Sequence, residues 1–505
     1  MDFAANHLLS IILFSPTVAA LIVLCLPREE ENLIRWVSLA ASLVPLGFSI
    51  ALWANFQPGQ AGFQFQEKII WYPPLNSSYH LGVDGISLPM VLLTTLLTPL
   101  SLLASFSIQE RVKPYMVLFL LLETGLLGVF MALDLVIFFV FWEIGLVPMY
   151  FLINQWGGAN RGYASLKFIL YTIAGSLGLL LAIQMIGVVS GTFDLLDLFK
   201  TWPSLQGTLF GLPAETVKTI AFWAFVIAFA IKVPIWPFHT WLPDAHTEAP
   251  TAGSMILAGV LLKLGGYGFL RLVLPLYPAE AHAYAGWLAF LATMAIIFGA
   301  LGAAGQSDFK RLVAYASINH MGFVVLGIAA AAYAAGTQNA VLALNGAVLQ
   351  MFSHGLTAAG MFFLVGVIYE RTHTRDLNAY GGLFTLVPVY GGILIFTAMA
   401  WLGLPGLSGF VPEFLVVRGA WPVFTLATAL SMIGLLFTGV YALIAIRQVL
   451  HGPLNERWVG HLGEINLREI MVISPLMVLM LITGVWPAWI LDVINHAAGA
   501  LSGLF

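Results

Sequence analysis

In this chain the residues able to take up and release protons lie where charge is least expected. Glu123 interrupts FLLLETGLLGVF, Glu143 interrupts FFVFWEIGLVPMY, and Lys232 and Lys263 each fall inside a long apolar run. His320 (SINHMGF), His354 (QMFSHGL) and Glu413 (LPGLSGFVPEF) follow, with Glu413 expected at the end of its run. A bare cation in hydrocarbon costs about 2.5–3.5 kcal/mol on insertion scales, so an intramembrane lysine reads as functional by default. A nearby carboxylate favours the ammonium, and withdrawing it lets desolvation favour the neutral amine. A movable ion-pair partner can therefore load or unload a lysine. Histidine, whose reference pKa lies nearest neutrality, suits relay positions. The chemistry expected is proton translocation through Glu143, Lys232, Lys263, His320, His354 and Glu413. Glu123 is a weaker candidate, equally able to serve as a hydrogen-bonded structural carboxylate. Between the lysine-bearing runs, one turn holds His239, Asp244, His246 and Glu248. These could suggest a metal, but capping and loop bracing are the expectation; His239 and His246 are secondary candidates for the proton path.

The elements that must position these groups are membrane spans. The chain has 505 residues, is 60% hydrophobic and only 9% charged, with mean hydropathy +0.94. That excludes a soluble domain, and repeated apolar runs of this length mean a polytopic membrane protein. Fourteen spans are expected, at about 8–26, 33–55, 84–107, 114–132, 134–154, 165–190, 219–240, 250–274, 283–304, 311–334, 340–369, 383–413, 421–446 and 470–492. Lys232 precedes Pro234 and Pro237, which remove donors and disfavour helix before them, so the seventh span is expected to break beside its charge. Leu404-Pro405-Gly406-Leu407-Ser408-Gly409 interrupts the twelfth in the same way. Two interrupted spans in corresponding halves, each with a charge, point to an inverted-repeat transporter.

The loops add three readings. Segment 56–83 alternates apolar and polar residues, as in a surface hairpin, and Asp134 is placed to cap the fifth span. Thirteen basic residues from Arg28 to Arg468 fall on one side, and five (Lys68, Lys200, Lys218, Arg271, Arg418) on the other. By the positive-inside rule the thirteen face the cytoplasm and both termini lie outside. The first residues lack the basic region and cleavage site of a signal peptide, so the first run is expected to stay as a helix. The single cysteine, Cys25, excludes internal disulfides and a thiolate iron–sulfur cage. No Gly-rich nucleotide loop or basic tail supports nucleotide or nucleic-acid binding.

Five motifs carry a resemblance over nearly the whole chain: AFAIKVPIWPFHTWLPDAHTEAPTAGSMILAGVLLKLGGYG, DLVIFFVFWEIGLVPMYFLI, KRLVAYASINHMGF, QMFSHGLTAAGMF and LPGLSGFVPEF. In these it resembles the NuoM/NdhD family, chain 4, the antiporter-like membrane subunit of respiratory complex I (NADH–quinone oxidoreductase). The resemblance implies an all-α polytopic fold of 14 transmembrane helices. Helices 4–8 and 9–13 would form two inverted five-helix repeats, with helices 7 and 12 broken. It divides the chain into an N-terminal three-helix segment (1–107), the repeats (108–276 and 277–450), and a C-terminal loop and last helix (451–505). It also implies that Glu143 pairs with Lys232, that Lys263 is the central lysine, and that His320 and His354 are the relay. A terminal glutamate, matched by Glu413, marks the chain 4 type, where the sister subunits carry lysine. The long lateral helix characteristic of the largest sister is not expected within 505 residues. Two positions depart from the pattern: Pro412 stands where a small residue is commoner, and Glu123 matches only part of the family.

The function so implied is a proton-translocating subunit coupled to quinone reduction by NADH elsewhere in the assembly. This chain would bind no cofactor; quinone, FMN and iron–sulfur clusters belong to other subunits. Expected partners are the lipid bilayer and other membrane subunits, especially two sister antiporter-like chains, with no nucleic acid. The expected location is the bacterial inner membrane, or the thylakoid membrane for the photosynthetic relative. Alternatives are an Mrp-type Na+/H+ antiporter subunit, a membrane-bound hydrogenase subunit, and a plastoquinone-reducing photosynthetic NDH-1 subunit.

Overall fold

A computed structural model describes residues 6–60 and 62–505. Thirteen helices among them are long and apolar enough to cross a bilayer, and a fourteenth crossing is built from two shorter helices, Pro388–Leu402 and Phe410–Ala420. The fourth and fifth spans (Val112–Met131 and Leu135–Trp156) are separate, because Asp134 turns the chain. Its carboxylate accepts from the amides of Val136 and Ile137 and caps the fifth. Segment 64–83 is the expected hairpin, Gln64–Tyr72 paired antiparallel with Ser77–Val83.

Three boundaries differ from expectation. The last span stops at Val485, and a separate helix, Ala488–Ser502, follows. The loop 191–218 holds a short helix, Leu195–Ser204, whose apolar side buries Leu195, Leu198 and Trp202. The twelfth span does not end at Glu413: its second half-helix continues to Ala420, and Glu413 lies in its first turn. Pro412 fits there because the amides of a helix's first turn have no intrahelical acceptor, so a missing N–H costs little.

The basic residues form one belt. Lys113 donates to the Leu26 carbonyl, Arg35 to that of Ile108, and Arg111 to Gln155. Lys167 and Arg311 share Asp244, while Arg371 grips Glu469 with two donors. At the other end Lys68 pairs with Asp194, and Arg271 with Asp84.

The expected internal repeat shows in backbone contacts. A Cβ on Gly125 would meet the Gly145 amide, and one on Gly128 the Phe141 ring. A shift of 174 residues reproduces both, with Gly299 against Asn319 and Gly302 against Tyr315. The shift also carries Asp134 to Asp308, each the cap of its span. Asp134 bridges to Asp194 at the sparsely charged end, and Asp308 bridges to Asp376 at the basic end. The two units are therefore inverted relative to each other. At the centre, the eighth, tenth and eleventh spans (Thr251–Leu276, Phe309–Tyr333, Gln338–Thr372) are almost wholly buried in protein. They carry Lys263, His320 and His354.

Candidate functional site

The seventh span begins as Ala214–Lys232 and stops where Pro234 lacks a donor. The freed carbonyls find other partners: Ala230 accepts from the Ile235 amide at 3.0 Å, and Ile231 from the Trp241 indole at 2.9 Å. Helix then resumes over Trp241–Glu248. Lys232 thus ends a half-helix, where the dipole favours a cation. Its ammonium is buried without a hydrogen bond among the described residues, 4.8 Å from the centre of the Trp142 ring. Glu143, the next residue along, is the charge nearest in kind, but the two form no ion pair within 4 Å. Glu143 is only half-buried, on the flank of the fifth span.

Lys263 lies between two widened, π-type turns, Leu257–Leu261 and Phe269–Val273. Such turns are rare and gather at functional sites. Its nitrogen donates to the Ala258 carbonyl inside the first turn and lies in hydrogen-bond contact with His354 Nδ1 at 2.7 Å. That approach depends on glycine: the eighth and eleventh spans cross with Gly259 against Gly355, where a Cβ on Gly355 would sit 2.9 Å from the Gly259 carbonyl oxygen. When Lys263 is charged, Nδ1 accepts from it and a neutral His354 carries its proton on Nε2, which has no hydrogen-bond partner among the described residues. The next imidazole, His320, is centred 5.6 Å away and tilted by 41°, with no hydrogen bond joining the rings. His320 Nδ1 meets Glu413 Oε1 at 2.8 Å, and the Tyr441 hydroxyl stands 3.3 Å from Nε2. Gln350 donates to the same carboxylate oxygen at 3.1 Å. Across the break, the Gly403 backbone leaves room for the other oxygen.

The structure therefore joins Lys263, His354, His320 and Glu413 in one buried line, and leaves Lys232 and Glu143 apart. Glu123 lies outside both groups: its carboxylate is buried in the fourth span beside Thr98, away from every lysine. Of the polar turn, Asp244 holds Lys167 and Arg311, and Glu248 accepts from the Asn160 amide at 2.9 Å. His239 is half-buried near Tyr315. His246 is fully buried, stacked at 4.3 Å on Phe362, with neither ring nitrogen bonded. No group of three His, Cys, Asp or Glu side chains among the described residues is arranged to hold a metal.

Several buried polar atoms in and beside the line, and Lys232 Nζ apart from it, lack a hydrogen-bond partner among the described residues: Ser353 Oγ, His354 Nε2, Gln350 Oε1 and Ser408 Oγ. A dry, unpaired buried polar group costs about 1–3 kcal/mol, so such a cluster is a place for water to bridge. Sequence reasoning missed Trp142, Gln350 and Tyr441. An amide one turn before His354 was a readable signal for Gln350; the aromatics had none, being abundant throughout.

Two family descriptions match the chain: "NADH:quinone oxidoreductase/Mrp antiporter, TM" over residues 132–438, and "NADH-ubiquinone oxidoreductase chain 4, amino terminus" over 9–133. NADH-quinone oxidoreductase subunit M of Rhodobacter capsulatus is 42% identical, over 98% of this chain and 96% of that one. An NAD(P)H-quinone oxidoreductase chain 4 of Synechococcus elongatus is also 42% identical, over 97% and 90%. Among solved structures, a chain of respiratory complex I from Thermus thermophilus with bound NADH superposes with TM-score 0.86 at 29% identity, over 98% of this chain and all of that one.

Proposed function

The chain belongs to the NADH:quinone oxidoreductase/Mrp antiporter membrane family, as its subunit M (chain 4) type, and from that premise we propose a residue-level route for proton translocation. Protons enter from the basic, cytoplasmic side toward Lys232 and Lys263. They pass by His354 and His320 to Glu413, and leave on the opposite side. The chain does no redox chemistry itself; NADH, FMN, iron–sulfur clusters and quinone act in other subunits of the complex, and this subunit is their translocase. The observation that carries the route is the buried line Lys263–His354–His320–Glu413, with contacts of 2.7 and 2.8 Å at its two ends.

The partners follow from Glu143. Glu143, half-buried on the flank of an apolar span beside exposed Val140, Ile144 and Val147, with one carboxylate oxygen buried and unpartnered among the described residues, is costly in lipid and needs a polar neighbour. Sister antiporter-like subunits on the two flanks meet that need, in a bacterial inner membrane with both termini outside. Replacement of Lys232 or Glu143 by alanine tests the route: pumping should be abolished or strongly impaired with assembly intact. Wild-type pumping stoichiometry in both variants would refute their role.

A further inference from the structure

On the basic face a cavity of about 220 Å3 enters the protein where the third, fourth, fifth, eighth and eleventh spans end. One water needs only about 10–15 Å3 of such space, so the cavity holds several. Its walls include Ser105, Glu248, Thr251, Lys310, Glu370 and Arg375. Lys310 counts as a loop base in the sequence. In the structure it is buried in the first turn of the tenth span, 6% exposed, and donates to the Ala249 carbonyl. Arg375 donates to the Thr247 carbonyl close by. Two cations thus meet the carbonyl end of the half-helix Trp241–Glu248, where the dipole favours them. The charges around Lys310 are Arg375, Asp308 and Glu248, with Asp308 held by Arg375 at 3.1 Å and Glu248 by the Asn160 amide. Glu370 faces the cavity but bonds Ser107.

His246 lies on the half-helix whose end Lys310 contacts. Its charged neighbours are Lys310 and Lys263, and neither ring nitrogen has a hydrogen-bond partner among the described residues. Ser254, three residues past the cavity wall at Thr251, donates to the His246 carbonyl and ties this histidine to the start of the eighth span. Lys310 thus lines the cavity and binds the end of the half-helix that carries His246, and Lys263 is the other charged neighbour of His246.

We propose that this cavity is the entry for protons, that Lys310 is the group that takes them from its water, and that His246 hands them to Lys263. The step balances once Lys263 has passed its proton to His354: hydronium in the cavity protonates the neutral Lys310 amine and leaves as water, the ammonium protonates one ring nitrogen of neutral His246 and returns to amine, and the imidazolium releases a proton from its other nitrogen to the neutral Lys263 amine. The inference rests on the proton-path reading and adds its source.

The test separates charge from exchangeability. Lys310→Arg keeps the cation and its carbonyl contacts, but arginine never releases its proton in proteins, whereas Lys310→His keeps a releasable one. In inverted membrane vesicles containing the whole complex, the Arg variant should lose about tenfold in energised proton uptake, and the His variant should retain most of it. Wild-type uptake in the Arg variant overturns the proposal. Should the Arg variant fail to assemble, Thr251→Cys in a Cys25→Ser background reads the entry directly. A membrane-impermeant cationic thiol reagent applied from the basic side should label that position and stop pumping. No labelling, under conditions where Arg111→Cys reacts, overturns the proposal as well. Lys263→Ala is the control: if it pumps normally the underlying route fails, and if it alone is inactive only the entry fails.

Discussion

The two broken spans hold their charges in opposite ways. In the seventh, Lys232 closes the first half-helix, at the carbonyl end, and its ammonium rests on the Trp142 face with Glu143 as its nearest acid but no ion pair to it. In the twelfth, Glu413 opens the second half-helix, at the amide end, and its carboxylate already holds His320 and Gln350. Each charge sits at the helix terminus that favours it, a contribution of about 0.3–1 kcal/mol at the surface that reaches about 2 kcal/mol in partly buried geometries. The difference lies in the partner. The unit around Glu413 is connected, and the unit around Lys232 is open. An inverted pair of like-folded units in different states is what alternating loading requires, and Lys263, bonded to His354, is the joint between them.

The severest way to break this comparison is at the joint. Lys263→Ala should abolish proton uptake in vesicles while NADH oxidation by a non-pumping acceptor stays near normal; retained uptake would mean the two units do not communicate through it. Next, Glu413→Gln keeps an acceptor for His320 but holds no proton, and should cost about tenfold or more in pumping. If pumping is unchanged, the connected unit is structural. Trp142→Leu removes the cation–π contact of Lys232, worth about 1–2 kcal/mol for a desolvated pair, and should lower pumping several-fold where Trp142→Phe is milder. Equal effects of Leu and Phe would show that the ring's face is irrelevant.

The repeat itself predicts matched losses. Gly125→Ala and Gly299→Ala each place a Cβ 2.6 Å from a backbone nitrogen, and each should cost about 1–3 kcal/mol by overpacking, seen as reduced assembly. Unequal losses would undo the equivalence. The smallest effect concerns the caps. Burial pushes the Asp194 carboxyl up, but the His80 and Lys68 bonds outweigh it and bring it down to about 2. Its folded value lies below the unfolded value near 3.9, so the stabilisation, about 2 kcal/mol, is present above pH 4 and lost as pH falls toward 2. Asp194→Asn should therefore lower Tm by a few degrees at neutral pH, measured on the full chain in detergent, and lose its effect in acid. Asp376, its exposed counterpart, should matter less.

What the sequence made legible was whatever breaks an apolar run. Lys232, Lys263, His320, His354 and Glu413 stand out against hydrocarbon, and proline beside Lys232 announces the break there. The line from Lys263 to Glu413 joins residues about 90 positions apart in chain, and no periodicity records such a contact. The two interrupted, charged spans announced an inverted repeat, but its residue-by-residue register was hidden, because the equivalences are backbone approaches at glycines and caps, which leave little shared side-chain pattern. Lys310 was misplaced as a loop base because charge counting assigns a residue to a side, not to a depth. Glu413 was set at a span's end because Pro412 reads as a stop, whereas proline in a first turn is a start.

The widened turns of the eighth span carry a last implication. A π turn accommodates one residue more than an α turn, and each residue rotates a helix by about 100°. Were a single residue lost between 257 and 261, hydropathy and span count would be unchanged, yet Lys263 would swing away from His354. The aim of this lysine is set by chain length, so here a one-residue deletion would act as a mutation of phase.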